Sequence, residues 1–343
     1  MLDREDTMSL RMRWLALGAL SIGLGGLVTA AHAQAPQTVK FGLATLNDAQ
    51  HEYIKRLAAA IEKESGGRFK SEVYPASQLG PIPRQIEATQ LGGIQIFAAP
   101  PEFFDGLDAR FGLLSAAGLF RDMPHVVKSM ADPEFRKAFY ALGANRGIKV
   151  AGLFLSGPTA INSRKAINNF GDIKGLKLRV LASPFQTRPI AHLGGTAVPM
   201  ALGDVLPALQ QGTIDGVMST VPVLSALRYY DAAKFITETN FSFTISMSAI
   251  SKVWFDKLPT DLQKVVADNA YKIASEMQPY VDEFYQAQRK VWSEKGGTVI
   301  DLPKADKEKM IVELGALTEK TVVSENADMK ALWDITLAAA KRN

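Results

Sequence analysis

Histidine, the commonest side chain for proton transfer and metal ligation near neutral pH, occurs at four positions: His32, His51, His125 and His192. None falls in an HExxH or other metal-ligand spacing, so each reads as a surface or capping residue. The chain has no cysteine, which removes disulfides, zinc ribbons, iron–sulfur clusters, thiol nucleophiles and a lipidated cysteine anchor. There is no GxSxG elbow and no Walker loop, and no GxGxxG beyond residue 33. Asp and Glu are scattered, and paired carboxylates are not recognisable without a fold. No catalytic residue, metal or cofactor is therefore expected. The groups left for function are those that bind.

Such groups need elements to hold them. The 343 residues are 47% hydrophobic and 22% charged, with 27 Gly and 17 Pro, a soluble globular mix that excludes collagen-like, disordered and multi-span membrane chains. Thirty-nine Lys and Arg against 35 Asp and Glu give +4, with no basic cluster of the kind that grips nucleic acid. Residues 1–33 read as a secretory leader: Arg11 and Arg13, an apolar run from Trp14 to Ala30, then Ala31-His32-Ala33 before a polar stretch. Cleavage near Ala33 would leave an exported, unanchored, periplasmic protein. Met8 is a second possible start, because Asp3, Glu5 and Asp6 precede the basic pair.

The remainder exceeds what one compact core holds, so two domains are expected. Thr38–Ala44, Phe69–Tyr74 and Ile94–Ala98 read as strands, separated by helices around 53–61 and 82–91. Lys149–Leu155, Leu176–Leu181, Thr213–Met218 and Phe241–Ile250 read as further strands. Helices are expected at 184–193 and 205–211, the second capped by Asp204. A long helix is expected from Thr260 to Lys295, with Thr260 and Gln263 as a capping box and a kink at Pro279. Two helices broken at Gln278 are the alternative. Helices at 305–324 and 327–341 close the chain. Alternating β and α elements give an α/β fold.

Ligands of open α/β sheets sit at the carboxyl ends of strands. That rule selects Asn47 (with Asp48) after the first strand, Glu102 and Phe103 or Phe104 in the Pro100–Phe104 loop, and Ser219 with Thr220. Glu102 is a candidate acceptor for ligand hydroxyls, and a loop phenylalanine either stacks on the ligand or packs beneath it.

Three stretches then carry a resemblance. Within Asn162–Gly216 stand GLKLRV, GGTAVPM and ALQQGTIDG, in that order; Ser65–Gly80 reads SGGRFKSEVYPASQLG; Ser251–Val266 reads SKVWFDKLPTDLQKVV. They resemble TRAP-type periplasmic solute-binding proteins of the dicarboxylate-transport (DctP-like) family, over most of residues 38–300. The resemblance implies two α/β lobes joined by crossing strands and a long helix spanning both. It divides the chain into residues 34–156 plus 245–284 and residues 157–244 plus 285–343. It implies a small organic acid as ligand, delivered to a membrane permease of one small and one large subunit by a monomeric receptor. The family's carboxylate-binding arginine falls on Arg179 in LKLRV, and a strand arginine does offer a planar fork of donors for a carboxylate. Its alternation with Leu178 and Val180 turns it to the opposite face from them. Arg164 and Arg188 read as surface charges.

Other family positions differ. A second arginine falls on Pro158, an asparagine on Ser219, and an aspartate on Gln95. One retained arginine suits one carboxylate, as in a uronate or other sugar acid, or a hydroxy or aromatic monocarboxylate. The rival readings are a secreted α/β hydrolase or lyase using the same cleft, and a two-lobe sensor or ABC-type receptor.

Overall fold

The computed structural model describes residues 35–343, and the expected leader lies outside them. Strand β1 (Gln37–Leu43) buries Val39, Phe41 and Leu43. Asp48 then caps helix α1 (Ala49–Glu64), accepting from the His51 amide at 3.0 Å. The apolar stripe of α1 is the expected one, Tyr53, Ile54, Leu57, Ala58 and Ile61. Strand β2 (Phe69–Tyr74), helix α2 (Ile82–Gln90) and strand β3 (Ile96–Ala99) follow. After two 3-10 turns, Pro101–Phe104 and Ala109–Ser115, come α3 (Met123–Ala131) and α4 (Pro133–Tyr140).

The middle of the chain opens with β4 (Ile148–Ser163), more than twice the expected strand length. Next are β5 (Lys177–Val180), α5 (Pro184–His192), β6 (Thr196–Pro199), α6 (Leu202–Gln211), β7 (Gly216–Ser219) and α7 (Val221–Ala226). Strand β8 (Phe235–Ser251) runs directly into the short α8 (Lys252–Phe255). The chain closes with α9 (Thr260–Ser275), α10 (Gln278–Glu294), β9 (Thr298–Asp301), α11 (Lys304–Glu325) and α12 (Ala327–Arg342).

One mixed sheet runs β2-β1-β3-β8-β4-β7-β5-β6, with β9 beside β8. Its ends are two parallel sub-sheets, β2-β1-β3 and β7-β5-β6. The long antiparallel pair β4 and β8 crosses from one to the other: β8 pairs β3 through 247–250 and β9 through 235–238, while β4 pairs β7 through 160–163. These are the crossing strands that the resemblance implied. Between the sub-sheets the β4–β8 register slips near Gly157 and again between Pro158 and Ala160, where Glu238 opposes Ala160. Pro158 supplies no ladder donor, and Gly157 sits at φ +141°, where side-chain-bearing residues rarely go. Four apolar clusters, one on each face of each sub-sheet, form the core.

Three expectations are corrected. The long helix is two, because the Pro279 ring clashes with the carbonyl four residues back, at Ser275, where α9 ends. The same proline is tolerated in the first turn of α10. It is α10 that crosses, since Val281 packs with the first sub-sheet's core while Tyr285 and Trp292 pack with the second's. The capping box is also absent: Thr260 is already helical, and the Gln263 amide donates instead to the Leu258 carbonyl at 3.0 Å. Likewise Asp204 lies inside the first turn of α6, which starts after Ala201 without a side-chain cap.

The last helix, expected with the 157–244 segment, has its buried face elsewhere. Met329, Leu332, Trp333 and Ala339 of α12 are buried with Phe135 and Phe139 of α4. Arg342 bonds Asp132 at 2.8 Å, between α3 and α4. So α12 packs chiefly on α3 and α4 of the 34–156 segment. Among the described residues no helix is long and apolar enough to cross a membrane.

Candidate functional site

The parallel strands β1, β3, β5 and β7 end at one cavity of about 560 Å³, its mouth included, lined from both sub-sheets and both crossing strands. The first sub-sheet contributes Thr45, Gln50, Ile82, Pro100 and Phe103. The second contributes Arg179, Leu181, Gln186, Leu202, Ser219 and Val223, and the crossing strands add Thr159 and Thr244.

Arg179 is the cation of this cavity, and the strand explains its aim. Leu178 and Val180 are fully buried in the core on the α5–α11 face, so alternation turns Arg179 to the other side, into the cavity. The side chain is only 2% exposed. Its Nε and Nη2 donate to the Met200 carbonyl at 3.1 and 3.0 Å. That uses one edge of the guanidinium and leaves Nη1 and the second Nη2 proton free. Burial lowers its pKa to about 10, opposed by Tyr229, so it stays protonated at neutral pH. None of the residues lining the cavity is Asp or Glu. A desolvated cation without an anion is costly, and a ligand carboxylate on the free edge would offset that cost.

The other expected residues separate. Phe103 and Ser219 line the cavity beside Arg179. Phe104 is fully buried among Phe97 and Phe111. Thr220 is fully buried behind Ser219, its hydroxyl without a partner. Asn47 is exposed at φ +55°, with its amide donating to His51 Nδ1 at 3.1 Å; Thr45 and Gln50, on either side of it, reach the cavity instead.

Glu102 does not line the cavity either. It lies 2% exposed within reach of Ser115 and of Gln186, which does line it. Burial pushes its carboxyl up to about 7. Asp105, one 3-10 turn later, is pushed up to about 8 by burial and then by Glu102. Among the described residues neither carboxyl has a salt bridge, and Glu102 Oε2 and the Asp105 oxygens have no well-aligned hydrogen bond, with Ser183 only close to Asp105.

Of the departures from the family pattern, Pro158 faces a second cleft with Glu238 and Asn240, and its neighbour Thr159 faces the site. Gln95 is spent on the backbone, accepting from Lys40 and donating to Gly92. Arg164 and Arg188 pair with Asp215 and Glu325 on half-exposed surfaces.

Gln186 was missed by sequence reasoning. Its signal was present: Ser183-Pro184-Phe185-Gln186 has capping spacing just past β5, and Ser183 does cap α5. Its Oε1 accepts from the Leu181 amide at 2.9 Å, which pins the amide at the wall of the cavity. Among the described residues no cluster of His, Asp and Glu could hold a metal ion.

Three likenesses agree with this architecture. A solute-binding protein of Verminephrobacter eiseniae is 30% identical over 315 residues, covering 91% of this chain and 91% of its own. The 2,3-diketo-L-gulonate-binding periplasmic protein of Escherichia coli is 26% identical over 279 residues, 81% of this chain and 84% of its own. A crystal structure of a TRAP periplasmic solute-binding protein from Desulfovibrio salexigens, with bound orotic acid, superposes with a TM-score of 0.84 at 20% identity, covering 89% of this chain and 99% of that one. The sequence profile of the DctP family spans residues 42–325. A two-lobe α/β scaffold with a buried, unopposed arginine at the ends of its strands, matched over nearly its whole length, belongs to the bacterial extracellular solute-binding proteins of family 7, the DctP family.

Proposed function

We propose that the protein is a periplasmic receptor that binds a small organic acid by its carboxylate on Arg179 and hands it to a TRAP permease of one small and one large membrane subunit. The observation that carries this reading is the buried guanidinium: one edge is spent on Met200, the other is free, and no lining carboxylate balances it. Relatives support the ligand class, since one is named for 2,3-diketo-L-gulonate and another holds orotic acid. In this reading the leader is cleaved near Ala33 and the mature protein works as a monomer. The residues around 157 and 244 are the hinge between lobe 34–156 plus 245–284 and lobe 157–244 plus 285–326, with α12 riding on the first. Asn47, Glu102 and Thr220 then support the wall, while Phe103 and Ser219 touch ligand. The protein performs no reaction on the ligand. A thermal-shift screen of organic acids, each beside its neutral amide, tests it. Acids that bind only the native state raise Tm, by about 2.7 kcal/mol of stability at a hundredfold excess over Kd, and their amides do not. Equal shifts from acid and amide would overturn the reading, and recovery of a chemically altered acid would favour the enzyme.

A further inference from the structure

Six side chains of the cavity wall are apolar and bulky: Ile82, Phe103, Leu181, Leu202, Met218 and Val223. Its polar side chains are seven with Arg179, and two of them are partly committed inward. The Thr159 hydroxyl donates to the Ser242 carbonyl at 3.0 Å, and Gln186 Oε1 accepts from Leu181. What remains facing the cavity is Thr45, Gln50, Ser219 and Thr244, all neutral. Apart from Arg179 no charged side chain lines it.

A sugar acid presents several hydroxyls, each needing a donor and an acceptor once buried. Carboxylates serve that need best, but the buried ones beside the cavity, Glu102 behind Gln186 and Asp48 behind Thr45, do not line it. A second ligand carboxylate would face an apolar wall with no second cation. A buried polar group without a partner loses more than its bond would have contributed, whereas apolar ligand surface gains on every one of those six side chains.

We propose that the cavity is built for a monocarboxylate with a compact apolar body, branched alkyl or aryl, carrying at most one polar substituent next to the carboxylate. The carboxylate takes the free edge of Arg179, and the body lies against Phe103, Leu181 and Met218. An adjacent oxo or hydroxyl group falls to Ser219 or the Gln186 amide. This class rests on the reading of Arg179 as the anchor.

Titration calorimetry on the wild-type full chain tests it with 4-methyl-2-oxopentanoate, benzoate, galacturonate, gluconate, succinate and benzamide as probes. The expected result is that at least one of the two apolar acids binds about a hundredfold or more tighter than galacturonate, gluconate and succinate, with benzamide silent. Phe103→Ala, at a half-buried position outside the fully buried core, is expected to lose about tenfold toward the apolar acid and little toward galacturonate. Tighter binding of galacturonate, gluconate or succinate overturns the apolar class and leaves the Arg179 anchor standing. Benzamide binding as well as benzoate, or no acid binding at all, overturns the anchor and with it the class.

Discussion

Arg179 donates twice to one carbonyl and points its remaining donors at open space, so its removal is expected to act on binding more than on folding. Truncating one partner of a buried, hydrogen-bonded charge pair costs about 2–5 kcal/mol. Arg179→Ala should therefore weaken the cognate acid by about 30-fold to several thousand-fold. Arg179→Lys keeps the charge but loses the fork and should fall between the two, while Arg188→Ala, which touches only Ser324 and Glu325, should change little. Calorimetry on the three variants decides, and retained binding in Arg179→Ala moves the anchor elsewhere. The acid pair beneath the site gives a second prediction. Glu102 and Asp105 face each other, Ser115, Ser183 and Gln186, with Asp108 and Glu325 as further acids nearby. Both carboxyls are raised from ordinary values of 4.5 and 3.8 to about 7 and 8. From about pH 4 to about pH 8 the folded state thus holds protons that the unfolded state has lost. Stability contributed by these groups is whole below about pH 4 and falls as pH rises through the window, by up to about 1.4 kcal/mol per unit per group. Glu102→Gln removes one such group, so urea midpoints at pH 5 and pH 8 should differ less in the variant than in the wild type. An unchanged pH slope would show that Glu102 is ionised throughout.

Secondary-structure elements fail or hold for reasons specific to each. The helix pattern of residues 260–295 is continuous in its apolar face, and a single helix of that length fits the pattern alone. One missing amide and one ring at Pro279 end α9 at Ser275 and restart the chain as α10. The crossing strands went the other way. Sequence alternation marks only 149–155 and 241–250, yet β4 and β8 extend to 16 and 17 residues. Pairing along their whole length sustains segments such as Gly157-Pro158 that no strand propensity favours. The attachment of α12 is tertiary too. His125 Nε2 lies 2.7 Å from the Ala340 carbonyl, and Trp333 fills the core beside α4. Trp333→Ala is expected to cost about 3–5 kcal/mol, with hydrogen-exchange protection lost first in α3 and α4. Loss concentrated in α5 and α6 would return α12 to the second lobe.

At the scale of the whole molecule, β4, β8 and α10 run from one parallel sub-sheet to the other, the 102–115 segment packs against α5 beside them, and the cavity lies where β4 and β8 slip register. Such a joint permits rigid rotation of one half against the other. Binding an acid between them should shrink the radius of gyration measured by small-angle X-ray scattering, with the fully bound state the more compact. The same joint mutated at Gly157, whose φ of +141° strains any residue with a Cβ, tests the mechanism: Gly157→Val should lower the melting temperature and blunt the contraction. An unchanged radius in the wild type at saturating ligand, from an open starting form, would sink the closure.

The sequence by itself determined the α/β class, most strand and helix positions of the first sub-sheet, and the direction of Arg179. Each of these depends on local periodicity or on alternation along a single strand, which neighbouring residues fix. It also carried the family, because GLKLRV, GGTAVPM and ALQQGTIDG stand together in order. Only the tertiary structure decided which residues at the strand ends reach the cavity. Asn47 and Thr45 lie two positions apart, as do Glu102 and Pro100, yet one of each pair faces ligand space and the other does not. That choice follows from the turn of a loop and the packing beneath it. So does the absence of any carboxylate from the cavity wall, since Glu102 is buried behind an amide that the chain supplies from 84 positions further along.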